Sequence, residues 1–388
     1  MTATNVSKNS NPESGPIEKP KIPFRLEFLD GIRGLAALYV VLFHCVGEVE
    51  EFDGTQYPRW LRLALHPLNL GHYSVCIFIV LSGYCLMLPV VQREDKRLKG
   101  GFRRYIFRRA GRILPPYYAA PALTLVLMLL VPATRSSQAT MWLRNENAFS
   151  FQVIGSHILI AHNLRPDWAL GIDAPMWSVA TEWQIYFVFA LLLLPVWRRF
   201  GNLALLLCGW ALGLILGLAF PYPYASLWFI GLFAFGMAAA TRLGKTDEAE
   251  LRRWGVVAIG AAALLAALSL ATHLRTIMIQ SDCITGIFTA SLIIYCAGRA
   301  GQGRNLLLRA LESKTALTLG VFSYSLYLIH YPILSTIHLA TNALHLSVLT
   351  KLFIELTLGV GLSLVAGYVF YLLVERPSLR RIMTAAKM

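Results

Sequence analysis

Ten stretches of this chain are apolar over about the 20 residues that a helix needs to cross the hydrocarbon core of a bilayer. They lie near residues 29–48, 70–91, 115–132, 176–197, 203–220, 224–241, 254–272, 279–298, 316–338 and 351–374. An eleventh apolar stretch, 151–162 (FQVIGSHILIAH), is too short to cross and reads as an interfacial or re-entrant helix. The composition agrees with a lipid-embedded chain. Hydrophobic residues make up 56% of the 388 and charged residues only 14%, against about 25% in a soluble domain. The mean hydropathy is +0.56. The expected fold is therefore all-α, a polytopic transmembrane bundle of about ten spans with one short additional helix.

Ten spans place both termini on one side. With the termini inside, the inner segments carry 27 of the 35 lysines and arginines and the outer segments 7, with Arg33 left inside the first span. That asymmetry is the positive-inside pattern, and an eleventh span would reverse the later basic loops. The expected location is a multi-pass position in a membrane, the cytoplasmic membrane if the source is bacterial, with both termini cytoplasmic. Residues 1–24 hold Pro12, Pro16, Pro20 and Pro23 and no apolar run. They read as a disordered cytoplasmic leader and not as a cleaved signal peptide; Thr2 also excludes N-myristoylation. The membrane domain is expected over 25–377 and a cytoplasmic tail over 378–388. The loop 133–175, rich in Trp, Asn, Asp and Pro, is the main polar segment on the outer side.

The net charge of +14 follows the inner loops and is no sign of a nucleic-acid partner. The six cysteines (Cys45, Cys76, Cys85, Cys208, Cys283 and Cys296) sit in or beside apolar runs without paired spacing. They read as small buried residues, and neither a disulfide framework nor a metal site is expected. His66, His72, His157 and His162 lack metal-ligand spacing in the sequence and are expected to be loop or interfacial residues.

The first span carries Asp30, Arg33 and His44 in RLEFLDGIRGLAALYVVLFHCVG. Ionisable groups are expensive in a membrane and usually mark function. Arg33 and His44 are eleven residues apart, about three turns and ~16 Å, and at ~100° per residue they share a face. Asp30 precedes Arg33 by three and can pair with it. Cys45, next to His44, points ~100° away.

LDGIRGLAALYVVLFH resembles the opening signature of the membrane acyltransferase-3 family, an Arg, ten residues, then a His. Further motifs follow in order. SVCIFIVLSGYCL is similar to the second-helix motif through Ser82, Gly83 and Tyr84, with Tyr where the family often has Phe. FRRYIFRRAGRILPPYY carries the Arg-x-x-Arg as Arg109 and Arg112. PMWSVATEWQIYF resembles the Trp-Ser-x-x-x-Glu segment through Trp177, Ser178 and Glu182. FSYSLYLIHYPIL resembles the late-helix motif through Ser323, Tyr324, Tyr327, His330 and Pro332. Glu375 and Pro377 close the set, so the resemblance covers 25–377.

The resemblance implies an integral membrane O-acyltransferase. It would move an acyl group, acetyl above all, from cytoplasmic acyl-CoA to a hydroxyl of a carbohydrate, glycolipid or other acceptor at the outer side. Acyl-CoA is then a co-substrate, with no permanently bound cofactor. Arginine forks suit phosphate, so Arg33, Arg109 and Arg112 are the donor-binding candidates. Neutral imidazole suits proton removal from a hydroxyl, which makes His44 the candidate base. Glu182 can orient His44, bind an acceptor hydroxyl or pair with a buried arginine. Asp30, Ser82, Tyr84, Trp177, Ser178, Ser323, Tyr327, His330 and Glu375 are acceptor-binding or structural polar residues. Ser178, Glu182 and Tyr186 share one helix face, as do Ser323, Tyr327 and His330, and Pro332 is expected to kink its helix. The rival from another class is a transporter or flippase of a glycan or small glycoside, in which the same residues hold cargo.

Overall fold

The computed structural model describes residues 26–52, 58–136, 147–271, 277–301 and 305–385; the leader 1–24 lies outside them. The described residues form helices and contain no strand. The principal ones are α1 (Glu27–Phe52), α2 (His72–Val91), α3 (Gly101–Leu130), α4 (Trp177–Val188), α5 (Leu194–Ala219), α6 (Phe229–Ala240), α7 (Glu248–Ala271), α8 (Met278–Arg299), α9 (Lys314–Val321) and α10 (Ser323–Ala343). A last run comprises α11 (Val348–Ile354), α12 (Val360–Phe370) and α13 (Arg376–Ala385), joined by wide π turns at Glu355–Gly359 and Tyr371–Glu375.

Among the described residues, seven helical segments are long and apolar enough to cross a membrane, or eight if α9 and α10 form one bent span. Three departures explain why this count differs from ten. The 46-residue segment Ala174–Ala219 is continuous but contains Gly201 at φ 79°, a left-handed value that glycine tolerates. The expected runs 176–197 and 203–220 both fall within it, on either side of that break. Asn202 ties the turn down, accepting from Trp197 Nε1 at 2.9 Å and donating to Thr241 at 2.8 Å. The run 224–241 yields only the twelve residues of α6, about 18 Å long, because Pro221 and Pro223 hold the chain before it out of helix.

The third departure concerns 316–338. The helix does not kink at Pro332, which sits inside a continuous α10. The bend, 75°, separates α9 from α10 at Phe322, whose φ and ψ of −117° and 18° leave the helical region. Ser323 secures the corner by donating to the Gly320 carbonyl at 3.0 Å. Backbone contact with α1 fixes α9 in place: a Cβ on Gly320 would lie 2.2 Å from the Asp30 carbonyl oxygen, and one on Gly34 2.5 Å from that of Ala316. α2 and α6 meet in the same way at the centre of the bundle. A Cβ on Gly83 would fall 2.1 Å from the Phe233 carbonyl oxygen, and one on Gly236 1.9 Å from that of Val80. Small residues that let backbones touch are how helices associate where lipid removes the hydrophobic drive.

The 151–162 stretch forms a helix of eight residues, Phe151–Ile158, with His162 opening a following short turn of helix. His157 and His162 are not loop-surface residues. Both are buried and their rings stack at 4.0 Å. Tyr117 donates to the His157 carbonyl at 3.0 Å. Burial pushes the His157 imidazole below its usual range and that of His162 well below it, with His157 adding to the effect on His162. Nearby in sequence, burial raises the Asp173 carboxyl well above its usual range.

Two outcomes are expected. Gly236→Ala should force α2 and α6 apart and cost about 1–3 kcal/mol, read as a lower thermal midpoint in detergent. Gly260→Ala, with nothing within 4 Å of its Cβ, should not lower it. The His157–His162 pair favours neutral imidazole in the fold. Below about pH 6.5 the unfolded chain takes up protons that the folded pair resists, so stability present above that pH is lost on acidification. Asp173 acts with the opposite sign, so the test is comparative. Between pH 7.5 and 5 the thermal midpoint of wild type should fall relative to that of His162→Gln; parallel curves would contradict the assignment.

Candidate active site

Two cavities lie end to end in the bundle. The first, of about 260 Å³, is lined by Arg33 from α1, Ser82 and Cys85 from α2, Arg109 and Arg112 from α3, and Glu182 and Tyr186 from α4. The second, of about 930 Å³, has His44 from α1, His72 from α2, and Trp177, Tyr224 and Tyr331 on its wall. Val75 and Tyr327 line both and form the neck between them. Arg33 and His44 stand three turns apart on one helix, so α1 runs along both chambers.

The first chamber is cationic. Arg33 donates to Asp30 at 3.5 Å and to the Cys85 sulfur at 3.2 Å. Arg109 and Arg112 have no ion-pair partner among the described residues. Three guanidinium groups thus line a space whose only lining carboxylate is Glu182. Arg112 is exposed and Arg109 part-exposed, and this surplus of positive charge suits an anion with several oxygens, which arginine grips with paired N–H groups.

Glu182 sits in the first chamber, apart from His44 in the second. It accepts from Tyr186 at 2.6 Å, and the Tyr186 hydroxyl lies 3.1 Å from Ser82 Oγ. Of its three sequence-level roles, the position among the arginines fits charge balance and not orientation of His44. Ser178 belongs to the neck: its hydroxyl is 2.6 Å from that of Tyr327, which donates to the Pro175 carbonyl at 2.9 Å. Ser323 also lines the first chamber. The Ser82-Gly83-Tyr84 motif divides its work: Ser82 faces the chamber, Gly83 lets α6 approach, and Tyr84 lies wholly buried outside both cavities. Glu375 is a structural partner, accepting from Ser325 at 2.5 Å.

In the second chamber His44 packs against Tyr331, with ring centres 4.6 Å apart, and His330, at 5.2 Å. His330 is buried and its Nδ1 is 2.9 Å from the Tyr327 carbonyl. The Nδ1–H therefore donates there, and Nε2 keeps its lone pair. The motifs of α1 and α10, nearly 300 residues apart in the sequence, meet here.

The sequence reads His72 as a loop or interfacial residue. It opens α2, and its Nε2 lies 2.8 Å from Asp282 on α8. Trp228 Nε1 donates to the other Asp282 oxygen at 2.9 Å. Cys76 stands one turn along α2, its sulfur 3.9 Å from His72 Nε2. The three ligand-type atoms lie within 4.8 Å of one another, a set able to hold a divalent cation, where the sequence suggested none. The i, i+4 spacing of His72 and Cys76 was visible; Asp282, 210 residues from His72, was not.

The sequence profile of the acyltransferase domain family matches residues 26–372. Acyltransferase MdmB of Streptomyces mycarofaciens is 26% identical over 382 residues, 92% of each chain. Peptidoglycan O-acetyltransferase OatA of Listeria monocytogenes is 25% identical over 182 residues, 46% of this chain and 26% of its own length. Putative peptidoglycan O-acetyltransferase YrhL of Bacillus subtilis is 26% identical over 168 residues, 42% of this chain and 23% of its own. The match thus spans about a quarter of the last two proteins. No solved structure matches the chain. With the profile covering nearly all of the described helices, the chain belongs to the acyltransferase-3 family and is a multi-pass membrane protein.

Proposed function

We propose that the protein is a membrane O-acyltransferase that draws an acyl group, acetyl above all, from cytoplasmic acyl-CoA and gives it to a hydroxyl of a carbohydrate or glycolipid at the outer side. One observation carries the reading: a chamber lined by three arginines and a chamber lined by His44 abut at a neck formed by Val75 and Tyr327. The phosphates of acyl-CoA are held by Arg33, Arg109 and Arg112. The ~16 Å between Arg33 and His44 along α1 lets an extended pantetheine arm bring its thioester through the neck. His44 removes the proton of the acceptor hydroxyl as its oxygen bonds to the carbonyl carbon. The carbon–sulfur bond then breaks, and the thiolate takes the proton back from His44.

The acceptor sits in the larger chamber, whose aromatic wall of Trp177, Tyr224 and Tyr331 suits the apolar faces of sugar rings. The names of OatA and YrhL, peptidoglycan O-acetyltransferases, support a polysaccharide or its precursor. The excess of Lys and Arg in the inner segments supports a cytoplasmic donor side and cytoplasmic termini, in the cytoplasmic membrane if the source is bacterial. No step requires a permanently bound cofactor.

The test is transfer from radiolabelled acetyl-CoA to glycan extracts by protein in proteoliposomes. His44→Ala should lower kcat about 100-fold. Arg109→Ala and Arg112→Ala should raise the KM for acetyl-CoA by about tenfold or more, with kcat less affected. Equal turnover by wild type and His44→Ala would remove His44 from the chemistry. Glycan movement across the bilayer without acetyl-CoA consumption would replace the reading with a transporter.

A further inference from the structure

The first chamber holds about 260 Å³, less than the ~300–1,000 Å³ that encloses a drug-sized ligand. Acyl-CoA is larger than such a ligand, and in the reading above its pantetheine arm points to the neck. Its nucleotide must therefore lie beyond the opposite end of the chamber. α4 marks that end. Ser178 sits at the neck, bonded to Tyr327, and Tyr186 follows about two turns along. The Tyr186 carbonyl accepts from Tyr105 on α3 at 3.3 Å. The first two turns of α3 thus run outward from the far end of the chamber.

α3 carries Arg103, Arg104, Arg108, Arg109 and Arg112 and no acidic residue. Basic inner segments are expected of any membrane protein, but elsewhere in this chain such arginines are balanced. Arg93 pairs with Asp95, Arg242 with Glu250, and Arg252 and Arg299 with Glu248. Arg108, Arg109 and Arg112 have no ion-pair partner among the described residues. Arg104, Arg108 and Arg112 recur at intervals of four and form one stripe, ~6 Å between neighbours. Arg112 lines the chamber, Arg108 is half-buried and Arg104 is exposed, so the stripe leads from the chamber to the surface. Arg103 lies off it, over the Phe107 ring at 5.7 Å. Arg108 is oriented by the Lys99 carbonyl, to which it donates at 3.0 Å, with one of a guanidinium's five N–H groups. The helix itself is fixed on either side of Arg108, by the Tyr105 bond and by the Gly111 carbonyl, which accepts from Ser378 on α13.

We propose that Arg104 and Arg108 form a phosphomonoester subsite that continues the first chamber and binds the 3′-phosphate of acyl-CoA. This rests on the acyl-CoA reading above. CoA carries two phosphate centres: a diphosphate joining the pantetheine arm to the nucleoside, and a phosphomonoester on the ribose of that nucleoside. With the diphosphate at Arg33, Arg109 and Arg112, the ribose carries the second centre outward along α3, to the arginines one and two turns beyond Arg112. A phosphomonoester near pH 7 is close to a dianion, and the guanidinium fork matches its oxygens. The subsite selects CoA thioesters over those of dephospho-CoA and pantetheine, which lack that group.

The test measures binding of acetyl-CoA and of acetyl-dephospho-CoA by calorimetry, with the full chain in nanodiscs of phosphatidylcholine, which has no net charge. Wild type should bind acetyl-CoA about 10- to 100-fold more tightly. Combining Arg104→Ala with Arg108→Ala should bring that ratio near one and leave the affinity for acetyl-dephospho-CoA unchanged, whereas a merely structural role would weaken both ligands alike. Arg103→Ala, which removes a neighbouring charge off the stripe, should keep the ratio. Equal affinity of wild type for the two donors would overturn the subsite and leave the acyltransferase reading standing, as would a ratio that survives the double substitution. If wild type shows no ratio yet retains phosphatidylglycerol through Arg104 and Arg108, the stripe belongs to lipid headgroups and the proposal falls. Failure of both donors to bind would overturn the subsite and the acyl-CoA reading together.

Discussion

The backbone contact between α1 and α9 sets the geometry on which the chambers depend. At Gly34 and Gly320 the two helices approach so closely that a Cβ on either would lie within 2.5 Å of the other helix's backbone. That contact fixes α1, which carries both Arg33 and His44, and it fixes the direction in which the chain enters α10. Because the chain turns by 75° at Phe322, α10 returns across α1 and does not continue along it. Tyr327, His330 and Tyr331 are delivered to the His44 face as a result. Were α9 and α10 a single straight helix, the neck would have no Tyr327 and His44 no aromatic wall.

Low dielectric then decides what each chamber can hold. Inside the bundle a charge must find a partner, a hydrogen-bonding shell or a polar cavity. Arg33 is divided between Asp30 and the Cys85 sulfur, and Arg109 and Arg112 face the cavity without ion-pair partners among the described residues. The surplus is positive and local. In the second chamber the polar groups are mostly imidazole, phenol and indole, beside Glu48 and Arg62. On the proposed function, the first end suits a polyanion and the second a polyhydroxylated ligand stacked on aromatic rings.

Much of this was legible in the sequence because the relevant rules are local. Each apolar run became helix, since a backbone in lipid has few other ways to satisfy its own hydrogen bonds. The shared side of Arg33 and His44 followed from helical periodicity, and Arg109 and Arg112 from theirs. What escaped depends on contacts between distant segments. Pro332 looked like the kink, but proline removes only one N–H, and the bend formed where α9 was already pinned to α1. The run 224–241 looked long enough to cross, yet Pro221 and Pro223 shortened it to α6, whose small residues let it sit in the centre of the bundle. His72 read as a loop or interfacial residue because nothing near it in sequence signals a partner. Its carboxylate comes from α8, 210 residues away in the sequence.

The division into two chambers also bears on why the neck is made of Val75 and Tyr327. Hydrolysis competes with transfer whenever water reaches the thioester before the acceptor does. In the proposed reaction the acyl arm would pass between Val75 and Tyr327, which line both chambers. The Tyr327 hydroxyl is bound to Ser178 and the Pro175 carbonyl, residues that line the first and the second chamber respectively. Ser178 and Pro175 belong to the junction between the preceding loop and α4, the segment that also supplies Trp177 to the wall of the larger chamber. In the proposed reaction, an acceptor stacked on Trp177 would lie against the same short stretch that holds Tyr327.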